Sequence, residues 1–176
     1  HPMGLIDWSD GEKSQHIIRA TLKRLDEVGL DYWTGYSYSW LANMKTRAFD
    51  GKGAAQALRT FAECFCLKNT FHANGDQTKS GKSRFTYRPF TLECNFAFAS
   101  GIQEMLLQSH TGTIRIFPAL PEEWKDVSFE GLRAMGAFLV YAQMEGGEIT
   151  RVRIYSEKGG MLKIARPGTL KPDKNY

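Results

Sequence analysis

The sequence predicts an α+β protein in which a run of helices is followed by a small antiparallel sheet. Three observations predict it. Apolar residues recur at three- and four-residue spacing through residues 9–110, and they alternate with polar ones through residues 113–165. Pro118 and Pro121 punctuate the passage from one regime to the other. The expected organisation is therefore residues 1–112 helical, residues 113–167 a β module, and residues 168–176 a polar tail after Pro167.

Ser9-Asp10-Gly11-Glu12 fits a capping box and opens the first helix, in which Ile18, Leu22 and Leu25 share a face. Gly29 is its natural stop. The spacing of Trp40, Leu41, Met44 and Ala48 predicts a second helix over 37–49, broken at Asp50-Gly51. A third spans 52–66, with Ala54, Leu58, Phe61, Ala62 and Phe65 in register. Ala99, Ile102, Met105 and Leu106 predict a fourth over 95–109. Between the last two lies a polar loop, 68–88, of a length that is usually functional or disordered.

The β module reads as about five strands. Ile114 and Ile116 flank Arg115. Phe138, Val140, Ala142 and Met144 alternate with Leu139, Tyr141 and Gln143. Gly146-Gly147 is a hairpin turn into 148–156, where Val152 and Ile154 alternate with Arg151 and Arg153. Gly159-Gly160 turns again into 161–165.

Hydrophobic residues make up 42% of the chain and charged ones 24%, a globular composition. The net charge of +4 is too diffuse to argue for nucleic acid as a partner. No apolar run has the roughly 18 residues of a membrane helix. The chain opens His1-Pro2 without an initiator Met, so its start reads as processed or cut. Cys64, Cys66 and Cys94 cannot all pair, and buried thiols are the expected state. No phosphate-cradling glycine loop, Gly-x-Ser-x-Gly elbow, HExxH or paired CxxC occurs, so no cofactor or metal is expected.

The run Arg88-Pro89-Phe90-Thr91-Leu92-Glu93-Cys94-Asn95-Phe96 leads directly into the fourth helix. Glu93 combines apolar neighbours with a helix N-terminus, opposed influences by which proteins hold a general acid or base ready. The plainer reading is a carboxylate that only caps the helix. Asn95 fits an N-cap equally with a residue that orients water or Glu93. Tyr36 and Trp40 offer rings that stack on the C–H face of a sugar, though Trp40 at helical spacing also fits a core. His72, on the long loop, is a candidate to reach a substrate site, and Arg84 and Arg88 to clamp an acidic sugar or Glu93 itself. A solvated loop histidine and simple surface charges are their plainer readings.

The helices have broad apolar faces and small residues (Ala54, Ala55, Ala57, Ala97, Ala99) that favour close packing. Four of them with a small sheet leave much apolar surface uncovered, which predicts that the chain is part of something larger. The segment Thr34-Gly35-Tyr36-Ser37-Tyr38-Ser39-Trp40 resembles the Thr-Gly-Trp-Ser-x-x-Trp helix start of glycoside hydrolase family 95, the α-L-fucosidases and related α-L-galactosidases. Pro89 to Phe96 is similar to that family's Pro-Phe-Gln-Ile-Asp-Gly-Asn-Phe run. The stretch Glu104-Met105-Leu106-Leu107-Gln108-Ser109 and then Phe117-Pro118-Ala119-Leu120-Pro121 resembles its Glu-Met-Leu-Leu-Gln-Ser and Leu-Pro-Ala-Leu-Pro signatures, and Gly131-Leu132-Arg133-Ala134 also fits.

The resemblance covers residues 2–165. It implies the C-terminal helical hairpins of an α/α toroid, followed by a small β domain. It implies hydrolysis of a terminal α-L-fucosyl or α-L-galactosyl bond with inversion, in which an acid protonates the leaving oxygen and a second carboxylate activates water. Such carboxyl groups stand about 6.5–9.5 Å apart. Glu93 matches the family's base-side Asp, and the family's general acid comes from a segment upstream of this chain. The implied partners are a glycan and the remainder of the parent polypeptide, and the implied location is periplasmic or secreted. The chain departs from the family at Glu93 (Asp), Cys94 (Gly) and Tyr36 (Trp), and two family histidines are absent. The alternative is a non-catalytic carbohydrate-binding or structural module descended from such an enzyme. An unrelated helical interaction module is the third reading.

Overall fold

A computed structural model describes residues 1–165, so the predicted 168–176 tail lies outside the described residues. A one-turn 3-10 helix, Trp8–Asp10, precedes four α-helices: α1 Glu12–Val28, α2 Gly35–Arg47, α3 Gly51–Cys64 and α4 Leu92–Leu106. Five strands follow: β1 Leu107–Gln108, β2 Arg115–Ile116, β3 Val127–Ala134, β4 Phe138–Glu145 and β5 Glu148–Ser156. The predicted α+β class stands.

The strands form two sheets. β1 pairs with β2 antiparallel, and β3-β4-β5 form a three-stranded antiparallel sheet. Residues 161–165, expected as a strand, contribute only a single parallel bridge, Ile164 to Ile114. β3 was not legible: a register shift between Phe129 and Leu132, with Gly131 at φ +67°, breaks its alternation.

Helix α2 is central, packed against α3 on one side and α4 on the other. It therefore buries Tyr38, Ser39, Leu41, Ala42, Asn43 and Thr46 around most of its girth. The buried Asn43 is fully occupied. Its Nδ2 donates to the Ser39 and Ala97 carbonyls, both at 2.8 Å, and its Oδ1 accepts the Ser100 hydroxyl at 2.8 Å. Helix α3 contributes Ala54, Leu58 and Phe61 to the core and its C-cap Phe65 follows them, while Ala62 points to solvent, contrary to the expected register. Phe61 is buried against His72 and Phe98, and truncating it to Ala should cost about 3–5 kcal/mol.

Two helix starts differ from expectation. The Ser9–Glu12 box does not form. Asp7 instead accepts the Ser9 backbone N–H at 3.0 Å, and Asp10 accepts that of Asp7 at 2.7 Å, which closes the 3-10 turn. Helix α4 begins and ends three residues early, because extended Thr91 (φ −139°) starts it and Leu107 leaves it for β1. On α1, Ile18, Leu22 and Leu25 are half-buried, with Leu22 and Leu25 packed against the helical core, and nothing on the helix is fully buried; Ile17 and Val28 face solvent.

Candidate active site

One end of the helical layer gathers the start of α2, the end of α3 and the start of α4. Residues 65–91 lie over this end and are tied down by backbone bonds. The Ala73 N–H donates to the Phe65 carbonyl at 2.7 Å, that of Gly75 to Tyr87 at 2.9 Å, and that of Asp76 to Phe85 at 2.7 Å. The Gly35 N–H reaches the Asn74 carbonyl at 3.3 Å, joining the loop to α2. Asp76 is fully buried inside the loop. Burial alone would raise its carboxyl, but hydrogen bonds from the Thr78 hydroxyl and N–H, the Lys82 N–H and the Ser80 hydroxyl outweigh this and hold it below its usual range. The long loop is thus a built element rather than a slack connection.

Glu93 stands in the first turn of α4, two residues after the extended N-cap Thr91. It is exposed, and its negative charge sits at the positive end of the helix dipole. The apolar enclosure expected from its neighbours does not form, because Leu92 and Phe96 face solvent and only Cys94 turns inward. A carboxylate so placed can take a proton from a water or meet a ligand directly.

His72 comes close enough to feel this charge. It is fully buried rather than solvated, stacked on Phe61 with ring centroids 5.5 Å apart and a 12° tilt. Burial pushes its imidazole below the usual value, while the Thr91 carbonyl and the Glu93 carboxylate push it back up. Neither ring nitrogen has a hydrogen-bond partner of good geometry among the described residues. Gly35 is the reason the ring fits: a β-carbon there would lie 2.4 Å from His72 Nε2 and 2.8 Å from Phe65 Cβ.

Asn95 is committed to the loop. Its Oδ1 accepts the His72 backbone N–H at 3.0 Å and its Nδ2 donates to the Thr70 carbonyl at 2.9 Å. It therefore fastens 70–72 to the same helical turn that carries Glu93. Tyr36, in the first turn of α2, is 46% exposed, and Trp40 one turn on is half-buried outside the main core cluster. Arg88 is exposed and donates through Nε to Gln77 Oε1 at 3.0 Å. Arg84 is spent on Asp31 at 2.6 Å and lies over the Tyr32 ring.

The three cysteines are free. Cys66 falls past the end of α3, opposite the expected helix, in a bridge with His72. Burial and the neighbouring Cys94 push its thiol up to about 11, and burial likewise pushes Cys94 up, so neither is an activated nucleophile. Among the described residues no group of three or more His, Cys, Asp or Glu is placed to hold a metal ion, and no helix is long and apolar enough to cross a membrane.

A second polar cluster went unread in the sequence. Asp7 Oδ2 lies 2.7 Å from His110 Nε2, while its Oδ1 faces Ser9 and Arg115, with Arg115 Nη2 at 3.4 Å. Burial alone would raise Asp7; the hydrogen bonds from His110 and Ser9 and the Arg115 charge hold it well below the usual carboxylate range. The cluster joins the N-terminal segment to the turn after β1 and to β2, residues more than a hundred positions apart. No local spacing signals such a contact.

Residues 1–106 match the glycosyl hydrolase family 95 catalytic domain, and residues 108–175 match the glycoside hydrolase family 95 C-terminal domain. The chain belongs to glycoside hydrolase family 95. It is also 30% identical over 162 residues to alpha-L-fucosidase 2 of Arabidopsis thaliana, a match that covers 89% of this chain and 18% of that relative. The chain thus spans less than a fifth of the length of the relative it matches. The change from helix to strand at Leu106–Leu107 falls where one family 95 match gives way to the other.

Proposed function

We propose that this chain forms part of an inverting glycoside hydrolase of family 95, acting on terminal α-L-fucosyl or α-L-galactosyl residues, with Glu93 as the general base. The observation that carries the reading is the placement of Glu93: an exposed carboxylate in the first turn of α4, in a family 95 catalytic-domain match, beside a tethered loop. In this reading Glu93 draws a proton from a water as that water attacks the anomeric carbon from the face opposite the leaving oxygen. The acid that protonates the leaving oxygen is supplied by the remainder of the parent polypeptide. The same remainder completes the toroid and covers Ile17 and Val28 of α1, which stand 38% and 61% exposed. Tyr36 and Trp40 supply ring faces for the sugar, and Arg88 supplies charge at the rim. Substrates that are polysaccharides place the enzyme in the periplasm or outside the cell.

The test is Glu93→Gln in the complete protein, assayed with aryl α-L-fucosides and α-L-galactosides. Turnover should fall by at least about a thousandfold while saturable binding of the free sugar persists. Near-normal turnover would remove Glu93 from the mechanism. A second reading, a non-catalytic carbohydrate-binding module, is favoured by one feature: Glu93 carries one methylene more than the family's Asp. Roughly 1 Å of misplacement can cost about a hundredfold in rate. Under it the complete protein binds the sugar and hydrolyses none of these glycosides, before or after the substitution.

A further inference from the structure

The three-stranded sheet has two unlike faces. Phe129, Ala134, Phe138, Val140 and Ala142 turn inward to the β core. The outer face carries Ser128 and Glu130 from β3, Tyr141 and Gln143 from β4, and Arg151 and Arg153 from β5. Strand register sets them side by side, with Ser128 opposite Gln143, Gln143 opposite Arg151, and Tyr141 opposite Arg153. These six side chains line a cleft of about 320 Å³. A second cleft of about 380 Å³ adjoins it, sharing Ser128 and Gln143 and adding Asp126 and Glu145.

The chemistry of this face is specific. Arg153 lies over the Tyr141 ring, 4.1 Å from its centroid, which fixes the guanidinium at the cleft wall. Arg151 and Arg153 form no ion pair among the described residues, although Glu130 lines the same cleft; Arg133, the third arginine of the face, is paired with Glu157. Two neighbouring guanidiniums without a carboxylate partner present planar donor forks, the group that fits a carboxylate or sulfate bidentately. Around them stand Ser128, Gln143, Glu130 and, in the adjoining cleft, Asp126 and Glu145, which match the donors and acceptors of sugar hydroxyls. We infer that the outer face of the β3-β4-β5 sheet is a binding site for an acidic glycan, with Arg151 and Arg153 gripping the anionic group of one sugar unit and the adjoining cleft holding its neighbour. The anionic group is a uronate carboxylate or a sulfate ester. The inference does not depend on Glu93, which belongs to the helical layer.

The test measures binding of the complete protein, by titration calorimetry, to a galactose oligomer with one uronate unit, to one with a single sulfate ester and to the neutral oligomer of the same length. At least one acidic oligomer should bind saturably and at least about tenfold more tightly than the neutral one, and which one does so separates carboxylate from sulfate. Arg151→Ala/Arg153→Ala should lose at least about tenfold of that affinity. Arg151→Lys/Arg153→Lys keeps the charge without the fork and should lose several-fold. Equal binding of acidic and neutral oligomers, no binding of any, or a lysine pair that binds as tightly as the arginines would overturn the inference. Because both arginines are exposed, circular dichroism of the variants should match the parent, so loss of binding is not loss of fold.

Discussion

Asn95 accepts the backbone N–H of His72 through its side-chain oxygen at 3.0 Å, and through its amide nitrogen it holds the Thr70 carbonyl at 2.9 Å. The asparagine amide carries its acceptor and its donor on separate atoms, so it can hold two backbone groups at once. It thereby makes the loop position a property of α4. Asn95→Ala removes both bonds and leaves a backbone donor and acceptor to find water. The expected cost is about 1–3 kcal/mol in urea unfolding, with faster amide exchange at residues 70–72. Unchanged exchange there would mean that the loop is held by its other bonds alone.

Gly35 and His72 make the next prediction. Alanine is the better helix former by up to about 1 kcal/mol, so on propensity alone Gly35→Ala should stabilise α2. The added carbon would lie 2.4 Å from His72 Nε2, and the Phe65 Cβ at 2.8 Å closes the other side. The steric term wins, and Gly35→Ala should destabilise by about 1–3 kcal/mol. In a His72→Ala background the penalty should shrink, because one of the two obstacles is gone. A stabilised single variant would show that the ring moves aside freely.

Much of this was readable in the chain, and what was not has physical causes. The helical period of Ala54, Leu58, Phe61 and Phe65 and the alternation of Phe138 to Met144 follow from burial on one face, which leaves a repeating trace. Helix α2 is different. It buries Ser39, Asn43 and Thr46 because it is flanked on both sides, and only its neighbours' carbonyls make those polar residues acceptable inside. β3 hid behind the irregularity at Gly131. Glu93 and Asn95 were visible as a motif, yet Asn95's bond to His72 and the burial of His72 depend on how the loop folds back over α3. The Asp7–His110–Arg115 cluster depends on contacts between chain ends, which no window of sequence contains.

Cys66 offers a test of the environment between α3 and the loop. Its thiol is half-buried and raised to about 11, first by burial and then by Cys94. The thiolate is the reactive form, so at mildly alkaline pH alkylation should run about a hundredfold slower than for a free cysteine. The rate should climb as pH approaches 11 rather than level off near 9. Denaturant should abolish the protection. Peptide mapping after timed iodoacetamide treatment reads it, and prompt labelling of Cys66 in the folded chain would contradict the assigned burial.

Asp7 contributes to the acid limb of stability. Its carboxyl is held well below its unfolded value by His110, Ser9 and Arg115. A group with a depressed folded value contributes stability that is present in full above the unfolded carboxylate range, near pH 4, and is lost as pH falls below that range toward the depressed value. The native protein should therefore lose stability steadily below about pH 4. Asp7→Asn keeps the shape but leaves the Arg115 guanidinium buried without its counter-charge, and should cost about 2–4 kcal/mol at neutral pH. In that variant the slope of unfolding free energy against pH below 4 should flatten, because one titrating group with a large shift is gone. Guanidinium unfolding across acid pH measures both effects. An unchanged slope would assign the acid limb to other carboxylates and leave Asp7 as a packing residue only.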